Sequence, residues 1–157
     1  MIYTAERFGP IILAALTCAL LLFFRSELMA SSAAAAIDFG NLYSAVFDWS
    51  AIQTGFLFGI FGYVGGKTSG FIHELRDSHE MSLFIGYMKT AIALGFILTF
   101  ASIPLVVMSF KMHSSALNFA IFCGWCFFSI WGFFAFVRVA YLFGLLVRPK
   151  DKTRIPA

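Results

Sequence analysis

Ala51–Lys67, AIQTGFLFGIFGYVGGK, is the stretch that decides how the chain is read. Gly55, Gly59, Gly62 and Gly66 recur at i, i+4, i+7 and i+11. A helix of 3.6 residues per turn gathers that spacing on one face. From Trp49 to Gly66 no residue is charged, and the run is long enough to reach across most of a bilayer. In water, glycine costs a helix roughly 1 kcal/mol per residue relative to alanine. In lipid, a glycine stripe lets another backbone come close, and helix association depends on such packing. The stripe is therefore expected to be the seam of a membrane bundle, against the chain's own helices, against a second copy, or both.

Composition agrees with that class. Of 157 residues, 61% are hydrophobic, 12% are charged and 21 are phenylalanine, with a mean hydropathy of +0.88. Soluble domains carry about 25% charged residues, and a globule of this size could not hide so much apolar surface from water. The expected fold is all-α: a polytopic membrane protein with four transmembrane helices. The spans fall at about residues 8–24, 49–66, 90–110 and 116–147, followed by a basic tail at 148–157. The first apolar run has no small-residue cleavage site after it and is read as a retained helix. Pro10 is expected at that helix's start, where its missing N–H costs nothing.

Between the first two spans, Arg25–Asp48 reads as a connection. Ile37–Trp49 has an apolar side, which predicts a short helix in the membrane interface anchored by Tyr43 and Trp49. Gly70–Lys89 is the most polar part of the chain. It predicts an amphipathic helix leading into the third span, with Arg76 and Glu80 placed to pair at i,i+4. Pro104 is expected to kink the third span. Lys111–Ser115 is a short turn that makes spans three and four an antiparallel hairpin. The fourth span, 32 residues, is about 48 Å as one helix and exceeds a hydrocarbon core of about 30 Å. Eight of the 11 lysines and arginines fall in the N-terminus, the 67–89 connection and the tail; Arg25 and Lys111 fall on the other side, and Arg138 lies within a span. That bias places both termini of a multi-pass membrane protein in the cytoplasm.

Several residues could carry chemistry. Cys123 and Cys126, in CGWC, have the spacing of a dithiol–disulfide pair near a helix start, where the helix N-terminus favours a thiolate. Four helices with CxxC on the fourth resemble membrane thiol oxidoreductases of the vitamin K epoxide reductase kind. Those enzymes relay electrons from a second cysteine pair in the outer loop, and Arg25–Asp48 contains no cysteine. Small polarizable packing residues explain Cys18, Cys123 and Cys126 as well. His73, Asp77 and Glu80 share one helix face, beside Glu74 and Arg76. With no HExxH and no second ligand-bearing helix, they read as a solvated face or as a docking surface for a cytosolic protein. Arg138 is placed to snorkel to the membrane boundary or to meet lipid, a pore or a subunit. Gln53 and Thr54 could hydrogen-bond between helices. Arg148, Lys150, Lys152 and Arg154 should attract anionic headgroups or a partner, at roughly 1 kcal/mol per basic residue. No P-loop, GxSxG, dinucleotide fingerprint or zinc spacing occurs. No cofactor, metal or direct nucleic-acid binding is expected.

Three function classes remain: a non-enzymatic subunit that oligomerises, scaffolds or senses; a homo-oligomeric pore lined by Gln53, Thr54, Ser102 and Arg138; and a thiol enzyme. The first is favoured, because a pore lining repeats polar residues along a span. The order of spans, the outer first loop, the Gln53-Thr54-Gly55 opening of span two and the charged connection into span three resemble the small membrane subunit of Kiwa-type bacterial anti-phage systems. That resemblance implies an inner-membrane oligomer that senses infection and works with a cytosolic, DNA-binding partner. It carries over no catalytic residue.

Overall fold

The computed structural model describes residues 2–34, 39–66, 78–108, 110–111 and 115–147. Among them the chain is helical and has no strand. The elements are α1 (Ile2–Phe23), α2 (Arg25–Ala33), α3 (Phe39–Gly66), α4 (His79–Val107) and α5 (Ala116–Val147). Local chemistry sets their ends. Ser78 caps α4, its hydroxyl accepting from the Met81 N–H at 3.2 Å, and Ser115 caps α5 by accepting from the Asn118 N–H at 3.1 Å. The bend between α1 and α2, 72° between Phe8–Phe23 and Arg25–Ser32, falls where the charge-free run ends at Arg25.

Two helices, α4 and α5, are long and apolar enough to cross a membrane, or three if the bent α1–α2 pair counts as one span. α3 is 28 residues long, but Asn41, Asp48, Ser50, Gln53 and Thr54 dilute its hydropathy.

α3 and α4 pack antiparallel over most of their length. Ser50 faces Thr99 and Thr54 faces Gly95, so four residues forward on α3 are four residues back on α4. The buried face of α3 is Tyr43, Ser50, Gln53, Thr54, Leu57, Ile60 and Val64. At the Gly66–His79 end, Leu57, Ile60 and Val64 join Met81, Phe84, Met88, Ala91 and Leu94 of α4 and Ala135 and Val139 of α5 in one apolar core. At the opposite end, Tyr43, Leu98 and Leu105 pack with Phe119, Phe122, Cys123 and Trp125 of α5. Trp49 lies on Phe133 with ring centroids 5.4 Å apart, Phe56 on Phe136 at 5.9 Å and Tyr63 on Phe143 at 5.8 Å, forming an aromatic ladder between α3 and α5. α1 docks on α5, with Pro10 and Ala14 buried and Ile12, Leu13, Leu16 and Leu20 left exposed.

Four expectations change. α3 begins at Phe39, not Trp49, so residues 39–48 continue the helix instead of forming a separate interfacial piece. Tyr43 is fully buried, edge-on to Trp125 at 5.0 Å, and is no surface anchor. A ring that finds three aromatic neighbours inside gains more than one held at an interface. Pro10 lies in the interior of α1, because helix starts at Ile2. α4 ends at Val107, three residues after Pro104, so the proline sits in the last turn, where little helix remains to be kinked.

The close approach of α3 to α4 depends on one glycine. A Cβ on Gly95 would collide with Thr54 Oγ1 and stand 3.4 Å from Thr54 Cβ. Gly95→Ala is therefore expected to cost about 1–3 kcal/mol through overpacking. Adding Thr54→Ala should recover part of that loss. Thermal unfolding in detergent of the two single variants and the double variant checks both statements; an additive double variant would dissociate the two residues.

Candidate functional site

The glycine stripe points away from the bundle. Gly55, Gly59, Gly62 and Gly66 are exposed, and a Cβ built on any of them meets nothing within 4 Å. The seam against the chain's own helices is thus made elsewhere, by Ser50, Thr54 and Gly95. The reason is polar: Ser50, Gln53 and Thr54 occupy the opposite side of α3, and turning them inward turns the glycines out. Two aromatic pairs flank the stripe, Phe56 with Phe136 on the α5 side and Phe58 with Phe96, at 5.7 Å, on the α4 side. The exposed strip is a row of glycines bordered on either side by phenylalanine.

Gln53, Thr54 and Ser102, named above as pore-lining candidates, are buried inside the protomer. Thr54 Oγ1 donates to the Ser50 carbonyl at 2.7 Å. Ser102 donates to the Leu98 carbonyl at 2.8 Å and accepts from the Trp125 indole N–H at 2.9 Å, which ties α4 to α5. Ser50, Thr99 and Gly95 complete this polar seam and were not singled out from sequence. Their signal was present: in the charge-free run from Trp49 to Gly66, Ser50, Gln53 and Thr54 recur at i, i+3 and i+4 and mark the inward face.

The cysteines are closer than their sequence separation implies. The Cys18 thiol of α1 donates to the Cys123 carbonyl of α5 at 3.4 Å. All three cysteines are free, Cys123 buried and Cys18 and Cys126 half-buried. α5 starts at Ala116, so Cys123 lies two turns in, where the helix-terminus field has faded. Among the described residues no group of histidine, cysteine and carboxylate side chains could hold a metal.

Arg138 is half-buried on α5, with its guanidinium carbon 3.7 Å from the centroid of the Tyr87 ring on α4. That is cation–π range; the side chain lies against α4 instead of running free along the helix. Glu80 is exposed in the first turn of α4. His73, Glu74, Arg76 and Asp77, with Arg76–Glu80 pairing, and the tail residues Arg148, Lys150, Lys152 and Arg154 lie outside the described residues.

Comparison with protein families, with curated proteins and with solved structures gives no match.

The Arg138–Tyr87 stack makes a clear forecast. Tyr87→Phe keeps the ring face and should leave stability within about 0.5 kcal/mol, whereas Tyr87→Leu should lose about 1–2 kcal/mol. Equal effects of the two substitutions, read by denaturant titration in detergent, would assign the Arg138 position to packing alone.

Proposed function

We propose that the chain is a non-enzymatic polytopic membrane protein that assembles with copies of itself through the exposed glycine face of α3, and so works as a membrane scaffold or sensor. In this reading α1, α3, α4 and α5 are the four spans, both termini are cytoplasmic, and the membrane is the bacterial inner membrane. α3 fits as a span in spite of its modest hydropathy, since Ser50, Gln53 and Thr54 are buried. From Ala51 to Gly66 its exposed residues are Ala51, Ile52, Gly55, Phe56, Phe58, Gly59, Phe61, Gly62, Tyr63, Gly65 and Gly66, none of them charged.

The observation that carries the proposal is the direction of the stripe. Four glycines spaced along one helix face weaken the helix and serve no packing within the protomer. A second backbone laid on the glycine row between Phe56–Phe136 and Phe58–Phe96 accounts for them, because close backbone approach is what glycine offers in lipid. A pore between copies would need polar walls. Gln53, Thr54 and Ser102 face inward, and the surface left for neighbours is glycine and phenylalanine, which favours the scaffold over the pore. The segment around Glu80 and the basic tail are the proposed contacts for a cytosolic partner protein. A role in anti-phage defence with a DNA-binding partner belongs to this proposal and rests on the layout resemblance alone.

Gly59→Leu combined with Gly62→Leu should reduce the assembly to single protomers. Thermal stability should hold or rise, because leucine is the better helix former by up to about 1 kcal/mol per site. Mass measurement of the tagged protein in mild detergent reads both. An unchanged oligomer would remove the α3 face from the assembly, and a homo-oligomer that brings a stoichiometric soluble protein would identify the partner.

A further inference from the structure

The polar seam contains one group that the packing leaves unsatisfied. Gln53 is 2% exposed, and neither its Oε1 nor its Nε2 has a hydrogen-bond partner among the described residues. Its Nε2 would lie 3.7 Å from a Cβ on Gly95, at the same notch that receives Thr54 Oγ1. A primary amide offers two donors and two acceptor sites. Leaving all of them empty in a helix interface forfeits the whole desolvation cost of the group.

The neighbouring hydroxyls have no hydrogen to give the amide oxygen. The Thr54 hydroxyl hydrogen goes to the Ser50 carbonyl and leaves its oxygen as an acceptor. Ser50 Oγ and Thr99 Oγ1 lie 2.9 Å apart and also point at the Phe47 and Gly95 carbonyls, each at 2.9 Å. Two hydroxyl hydrogens face three acceptor positions, so this pair has none to spare for Gln53. The buried polar residues are Ser50, Gln53, Thr54 and Ser102, all neutral. The occupant must therefore be uncharged, small, and both donor and acceptor.

We propose that Gln53 anchors a bound water at the α3–α4 interface. The water accepts from the Gln53 amide nitrogen and donates to Thr54 Oγ1, and it is held in the middle of the bundle by the apolar core of Leu57, Met88, Ala91 and Leu94 on one side. The site lies within a single protomer and is independent of self-association.

Gln53 is the only glutamine in the chain. Full-length protein labelled with side-chain 15N-glutamine, in bicelles, therefore gives a single side-chain NH2 pair. A rotating-frame cross peak between that pair and water, opposite in sign to the diagonal, is the expected result. Thr54→Val keeps the shape, removes the hydroxyl, and should weaken the peak at least two-fold. No cross peak, or only an exchange peak with the sign of the diagonal, overturns the bound water. A full-strength peak in Thr54→Val overturns the role given to Thr54.

Discussion

At Gly95 the absent side chain lets Thr54 of α3 press against the backbone of α4. The other α3–α4 pairings follow from it. With Thr54 seated there, Ser50 meets Thr99 one turn away, and Leu57, Ile60 and Val64 come onto Met81, Phe84, Met88 and Ala91. The rotation of α3 about its axis is set by the same contact. Ser50 gains a hydrogen bond to Thr99 by facing α4, and a polar side chain turned out into an apolar surrounding is costly. The cheap residues on the outside, glycine and phenylalanine, are left facing outward.

α5 is the strut that joins the rest to this pair. One side of it closes both apolar cores, through Phe119, Phe122 and Trp125 at one end and Ala135 and Val139 at the other. The rings of Phe133, Phe136 and Phe143 take the Trp49, Phe56 and Tyr63 rings of α3. α1 lies against another side, where Cys18 reaches the Cys123 carbonyl. Arg138 adds a charged link to α4 through the Tyr87 ring. An arginine within an apolar helix is often a functional signal; here its guanidinium lies over a ring of the neighbouring helix.

Much of the helical layout was legible. α5 runs from Ala116 to Val147, a stretch uncharged but for Arg138 that opens behind the Ser115 cap. The passage of the polar stretch into the third span as one helix was also readable: α4 runs unbroken from His79 to Val107. What was missed lies in the pairing of helices. Tyr43 looked like an interfacial anchor by residue type, yet three rings from elsewhere in the chain enclose it. Cys18 looked isolated because its neighbour is 105 residues away. Gly95, one of two glycines in α4, carried no spacing pattern to distinguish it from Gly86 of the same helix or Gly124 of α5, which are open to space.

The sequence by itself determined the all-helical class, the apolar runs, and the grouping of four glycines on one face of α3, because these depend on composition and on the 3.6-residue period alone. Tertiary structure decided which face of each helix turns inward. In a water-soluble helix amphipathicity makes that choice legible. Here α4 and α5 are apolar on every side, so the period of hydrophobicity points nowhere. The choice passes to a few hydroxyls, one amide and one glycine at the places where helices meet. The glycine stripe shows the consequence: its existence was readable, but its direction waited on Thr54 finding Gly95.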